Sequence, residues 1–176
     1  VENLFFDKAG KPTQNKKGYH AITTEYDEYG NIIGIRYYDN NKKLCKSNEG
    51  YAFYKAIPDY KGNIAKVEYF GANGKPTKTT EGIEVVEATY DLYGRVTKIN
   101  YYNSDGVPLK VKTGLFGWQA SYDSRGNKIS YKGLDSLGRL CGDTTGIAKW
   151  EKRFDERGNQ IIYAPDFITF LRHHIA

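Results

Sequence analysis

The 176-residue sequence contains no methionine, two cysteines, three histidines and five prolines. With so few histidines and cysteines, a zinc site of ordinary ligand spacing is not expected, and no cofactor is implied. His20, His173 and His174 read as surface residues, because none has a nucleophile or a carboxylate at catalytic spacing. No apolar run reaches the length needed to cross a bilayer, so direct membrane insertion is not expected. No charge of one sign is blocked together: 26 basic and 21 acidic residues are interspersed, for a net charge of +5. That pattern fits a solvated surface better than a nucleic-acid footprint. Without methionine, Val1 reads as an internal start, so an excised or mature piece is expected, with any targeting signal outside it.

What the chain has in plenty is tyrosine and glycine, 16 and 19 residues. Aromatic residues make up 15% of the sequence, which suits half-buried sheet surfaces where a ring packs and its hydroxyl stays wet. The glycines are periodic. Asp27, Asp59, Asp91, Asp123 and Asp155 recur every 32 residues, each followed three residues later by Gly30, Gly62, Gly94, Gly126 or Gly158. A fixed period of this size marks a repeat architecture. The units run 1–31, 32–63, 64–95, 96–127 and 128–159, the first truncated at its N-terminus.

Each unit reads as two strands and two turns. In Asp-x-x-Gly the carboxylate accepts from backbone two residues on, and Gly takes the left-handed conformation, so the chain reverses as a hairpin. The strand before it carries one large-then-small column: Ile22, Tyr54, Val86, Trp118 and Trp150, then Thr24, Ala56, Ala88, Ala120 and Lys152. Lys55, Glu87, Gln119 and Glu151 alternate with these and are expected to face solvent. The strand after the turn alternates similarly, as in Ala65-Lys66-Val67-Glu68, which predicts one buried face, and ends in aromatic pairs such as Tyr37-Tyr38, Tyr69-Phe70 and Tyr101-Tyr102. A second turn follows (Asn103-Ser104-Asp105-Gly106 is the clearest), and Pro12, Pro76 and Pro108 are expected to stop the ladder there. About six residues then cross to a further glycine column, Gly18, Gly50, Gly82, Gly114 and Gly146.

Cys45 and Cys141 are three periods apart, in one slot of separate units, so both are expected as free thiols. The aspartate column could suggest calcium, but each loop supplies one turn carboxylate where a hard cation needs several, so no metal is expected. No catalytic constellation is evident. From Pro165 onward, Phe167, Phe170, Leu171 and Ile175 fall at helical spacing, predicting a short capping helix over 164–176 behind a repeat domain over 1–163.

Tyr90-Asp91-x-x-Gly94-Arg95-Val96, echoed by Asp135-x-x-Gly138-Arg139-Leu140, resembles the bacterial YD-repeat class that also builds RHS proteins. A 32-residue variant is closer. Gly50-Tyr51-Ala52, Tyr26-Asp27-Glu28-Tyr29-Gly30-Asn31, and Tyr69-Phe70 with Gly74-Lys75-Pro76 resemble its successive pieces, over residues 1 to about 163. A fainter likeness, through Tyr101-Tyr102-Asn103-Ser104-Asp105-Gly106, Thr113-Gly114 and Trp118, is to cell-wall-binding repeats. The expected fold is all-β, an elongated array of β-hairpins forming a twisted antiparallel sheet or an open β-solenoid. The expected function is non-enzymatic: a spacer, adhesion or partner-binding module of a larger cell-envelope or secreted bacterial protein. The resemblance implies neighbouring repeats or domains of a parent chain, and the partner expected is a polysaccharide or a protein at the cell envelope. Two alternatives are a sugar-binding domain using Tyr37, Tyr69, Tyr101, Trp118 and Trp150, and a shell segment of an RHS-like toxin. A third is a scaffold for a catalytic domain lying elsewhere.

Overall fold

The computed structural model describes residues 1–167, with side chains to residue 163. Eleven strands lie in one open antiparallel sheet, in chain order. They are β1 (Glu2–Leu4), β2 (Ala21–Tyr26), β3 (Ile32–Tyr38), β4 (Phe53–Pro58), β5 (Ile64–Phe70), β6 (Val85–Tyr90), β7 (Val96–Tyr102), β8 (Gly117–Tyr122), β9 (Lys128–Leu134), β10 (Ile147–Phe154) and β11 (Gln160–Phe167). At a strand spacing of about 4.8 Å the array is about 50 Å long.

The Asp-x-x-Gly turns form as the sequence predicts. Asp27 Oδ1 accepts from the backbone N–H groups of Tyr29 (3.0 Å) and Asn31 (2.8 Å), and Gly30 N donates to Asp27 O at 3.1 Å with φ of 85°. The fifth residue adds a bond the spacing did not reveal: Asn31 Nδ2 donates to Asp27 Oδ2 at 2.8 Å. Asn63, Asn127 and Asn159 do the same to Asp59, Asp123 and Asp155, and Arg95 Nε bonds Asp91 at 2.6 Å. One register shift sits beside each hairpin turn, between Glu25 and Tyr26 in the first, as a turn closing on a left-handed glycine requires.

Three expectations need correction. First, each unit has three turns. The crossing segment contains Asn15-x-x-Gly18, Ser47-x-x-Gly50, Thr79-x-x-Gly82, Val111-x-x-Gly114 and Asp143-x-x-Gly146, each closed by a glycine N–H on the carbonyl three residues back. These turns stack on one another. Asn48 N donates to Lys17 O (2.9 Å), Thr80 N to Glu49 O (2.8 Å), Lys112 N to Glu81 O (3.0 Å) and Thr144 N to Thr113 O (2.8 Å). A rail of backbone hydrogen bonds thus runs along the array beside the sheet ladder.

Second, the proline column does not end the pairing. Pro12, Pro76 and Pro108 form single bridges with Phe6, Phe70 and Tyr102. The next residue in each case donates back, as Thr77 N does to Tyr69 O at 3.0 Å. Third, neither sheet face is uniformly buried: every residue of β5 and β7 is half-buried. A single layer has no second sheet to seal it. Full burial is found instead where the rail packs on the sheet, at Tyr19, Tyr51, Ala52, Val111, Leu115 and Ala148, and at strand positions such as Ala21, Phe53, Val85 and Leu134 on the other face.

Strand β11 also runs through residues 164–167, which sequence spacing placed in a helix. Residue 165 pairs with Trp150. Among the described residues this is the last strand, a position where proline's missing N–H is tolerated. The remainder of the expected helix, with His173 and His174, lies outside the described residues.

Gly117 opens β8 with ordinary φ, and its constraint is space. A Cβ there would land on the backbone carbonyl of Ile99 and within 3.1 Å of Asn100 Oδ1. Gly117→Ala is expected to lower stability by about 2 kcal/mol, because a strand backbone must move to admit it. Urea unfolding of the variant checks this; an unchanged midpoint would refute the close packing of β7 and β8.

Candidate functional site

Register places Tyr37, Tyr69, Tyr101, Trp118 and Trp150 on one face. Ile22 opposes Tyr37, Ile35 opposes Tyr54, and Tyr54 opposes Tyr69. Val86 opposes Tyr101, Ile99 opposes Trp118, and Tyr131 opposes Trp150. The expected solvent residues Lys55, Glu87, Gln119 and Glu151 are exposed on the other face.

The rings stand against each other. Tyr37 stacks on Tyr19 from the third turn, with centroids 4.4 Å apart and planes 20° off parallel, and Tyr51 from the next third turn lies 4.7 Å from Tyr69. Only 7% of Tyr37 is exposed. Its hydroxyl meets that of Tyr51 at 3.3 Å, and Tyr51 donates to Glu49 Oε2 at 2.8 Å. Burial raises the Tyr37, Tyr69 and Tyr101 phenols above their ordinary range; for Tyr101 a hydrogen bond with Trp118 opposes the rise. Further along, Tyr131 stacks on Trp150 at 5.8 Å and 11°, and Trp118 lies 6.1 Å from Tyr131. The Lys128 and Lys152 amines cover Trp118 and Trp150 at 4.9 and 4.7 Å. The sequence-selected rings therefore fall into two packed groups, Tyr37 and Tyr69 with Tyr19, Tyr51 and Tyr54, and Trp118 and Trp150 with Tyr131, while Tyr101 between them meets Trp118 through its hydrogen bond.

Two further tyrosines tie neighbouring hairpins together at the turn margin. Tyr90 Oη donates to Ile64 O at 2.6 Å, and Tyr122 Oη to Val96 O at 2.8 Å, each reaching back into the preceding second strand. At these two Tyr-Asp turns the tyrosine is thus a strut between neighbouring hairpins. Sequence periodicity marked the column without showing its partner.

His20 is not a surface residue. It is 6% exposed, with its ring nitrogen Nδ1 3.1 Å from Thr13 O and the Phe6 ring edge-on at 5.7 Å. Its column explains this, since Ala52 and Ala148 in the same slot have no exposure. Cys45 and Cys141 are free, following β3 and β9. Six strand spacings, about 29 Å, separate those strands. Burial, then Asp39, raises the Cys45 thiol above its ordinary range.

The turn carboxylates are engaged in their own loops. Asp27, Asp59, Asp123 and Asp155 are held below the ordinary carboxylate value of 3.8 chiefly by the Asn amide of the same turn. Asp91 and Asp135 are lowered too: desolvation opposes the shift, and bonds from the Arg95 and Arg139 backbone and guanidinium outweigh it. Among the described residues, no three His, Cys, Asp or Glu side chains gather as a metal site. A depressed folded pKa contributes stability that is present above the unfolded value and is lost as pH falls through the folded one. Thermal midpoints are therefore expected to fall steadily once pH drops below about 4. The Asp123→Ala variant, lacking one such carboxylate, should show a shallower fall. Equal slopes for the variant and the parent would contradict the role given to these turns.

No protein-family model matches the chain, and no curated protein matches it in sequence. Among solved structures, a chain of a Photorhabdus luminescens Tc holotoxin pore is similar at a TM-score of 0.24 and 11% identity. The match covers 95% of this chain and 11% of that one, so this chain spans about a tenth of the other's length.

Proposed function

We propose that the protein is a non-enzymatic repeat module, a spacer or partner-presenting scaffold within a larger cell-envelope or secreted bacterial protein. One observation carries this reading: the aromatic rings that could have met a ligand are used to join one hairpin to the next. Tyr37 is packed under Tyr19 and Tyr51, and Tyr131 stacks on Trp150. The hydrogen bonds of Tyr90 and Tyr122 likewise run from one hairpin to its neighbour. Side chains spent on repeat cohesion suit a part whose work is to hold length and orientation. The resemblance to YD repeats supports the same reading.

The test separates cohesion from ligand binding by the aromatic column. Trp118→Leu and Trp150→Leu should each lower stability by about 1–2 kcal/mol. Tryptophan fluorescence of the parent should stay unchanged with a panel of cell-wall polysaccharides. A saturable fluorescence change, together with tryptophan variants of unaltered stability, would replace the scaffold reading with a sugar platform.

A further inference from the structure

The face opposite the aromatic column carries rows of charged and polar side chains beside the stacked Phe53 and Phe70 rings, and its two halves differ. In the N-terminal half the cations meet partners: Arg36 Nε is 2.7 Å from Glu25 Oε1, and Lys66 Nζ is 2.8 Å from Glu68 Oε1. The Arg36 guanidinium lies 4.8 Å from the Phe53 ring centre, and the Lys55 amine 5.5 Å from that of Phe70. In the C-terminal half the register makes a different row. Thr89 opposes Lys98, Lys98 opposes Gln119, and Gln119 opposes Lys132. The carboxylates on this face, Glu87 and Glu151, sit one rung to either side, opposite Asn100 and Ser130.

This row floors a shallow groove of about 390 Å³. Hydroxyl pairs border it: Thr89 Oγ1 with Thr97 Oγ1 at 3.1 Å, and Ser121 Oγ with Ser130 Oγ at 2.5 Å. In each pair either oxygen can be the donor, so the outward lone pairs and protons can turn to suit a polyhydroxylated partner. Lys98 and Lys132 stand two strands apart, about 9.6 Å, a span comparable to one disaccharide. No ring stands in the row on which a nucleic-acid base could stack.

We propose that this groove docks an acidic polysaccharide, a sugar chain carrying carboxylates, laid across β6–β9. Lys98 and Lys132 each take a carboxylate, while Gln119 and the bordering hydroxyls bond the sugar hydroxyls. The proposal rests on the face opposite the aromatic column and is independent of the scaffold reading.

The test is isothermal titration of the protein with polygalacturonate, with dextran, polyglutamate and single-stranded DNA as comparison polymers. Saturable binding of polygalacturonate that weakens with salt is expected, together with weaker or absent binding of the other three. The double substitution K98Q/K132Q, checked for an unchanged fold by circular dichroism, should weaken binding roughly tenfold, as two exposed ionic contacts predict. K55Q, on the same face in the half with paired charges, should leave binding unchanged. Absence of polygalacturonate binding, an equal loss in K55Q, or tighter binding of polyglutamate or DNA would overturn the proposal. Failure there would leave the tryptophan results, and so the scaffold reading, untouched.

Discussion

Leu115→Ala should lower the free energy of unfolding by about 3 kcal/mol. Leu115 is 2% exposed, the largest side chain fully enclosed among the described residues, and it follows the third turn of its unit. Its Cδ atoms press on Gly133 so closely that a Cβ on that glycine would come within 2.8 Å of one of them. The carbonyl of Leu115 accepts from Val111 N at 3.0 Å, and Phe116 N bonds Leu134 O at 2.9 Å, so backbone holds the site open after truncation. A cavity that cannot collapse costs most. Leu92→Ala is the control: that side chain is 83% exposed in the hairpin turn, and its loss should stay within about 0.5 kcal/mol. Urea titration of both variants gives the comparison, and similar midpoints would mean that the third turns contribute no core.

High pH should unfold the sheet through its tyrosines. Burial raises the phenols of Tyr37, Tyr51, Tyr54, Tyr69, Tyr90, Tyr101 and Tyr131, with Tyr54 and Tyr131 pushed up to about 12. For Tyr51 the hydrogen bonds to Tyr37 and Glu49 add to the rise. The folded chain keeps these protons where the unfolded chain, with phenols near 10, has begun to lose them. Stability from these groups is therefore complete below pH 10 and declines as pH rises from there through about 12. Phenolate absorbance and far-ultraviolet circular dichroism, followed together, should show one abrupt step above pH 10 in which the buried tyrosines ionise as the sheet is lost. Full ionisation with the sheet signal intact at pH 12 would contradict the packed column.

How much of this was legible in the sequence follows from which interactions have a fixed partner in the chain. Asp27 and Gly30 reach only three or four residues, so the residue types name the geometry; even Lys42, standing where other units have glycine, is held at φ of 58° by the same turn. The strand order likewise follows from hairpins repeated without insertion. The third turn was missed because its lead residue varies among Asn15, Ser47, Thr79, Val111 and Asp143. The last two glycine-closed turns of that column show why: closure runs through backbone, with or without a side-chain acceptor. Burial was misjudged for a related reason. Period-two patterning tells which side chains share a face, but not that the rail covers only one margin, and so neither the enclosure of His20 nor the half-exposure of Val67 could be read. The column Tyr37, Tyr69, Tyr101, Trp118 and Trp150 was legible as a set, and what its rings touch was not. The row Lys98, Gln119 and Lys132 has no common repeat position at all. It arises because pairing between strands offsets the units sideways, which only the register reveals.

The stacked third turns have a mechanical meaning. A lone β-sheet is a thin plate, stiff along its hydrogen bonds and compliant when flexed out of its plane. The bonds from Asn48 to Lys17, Thr80 to Glu49, Lys112 to Glu81 and Thr144 to Thr113 form a second bonded line, displaced from the plate by the side chains of Tyr19, Tyr51 and Leu115. A plate with such a flange resists flexure as an L-shaped girder does, because bending must stretch one line while compressing the other. Every further unit would lengthen both lines together, so rigidity would be kept as reach increases.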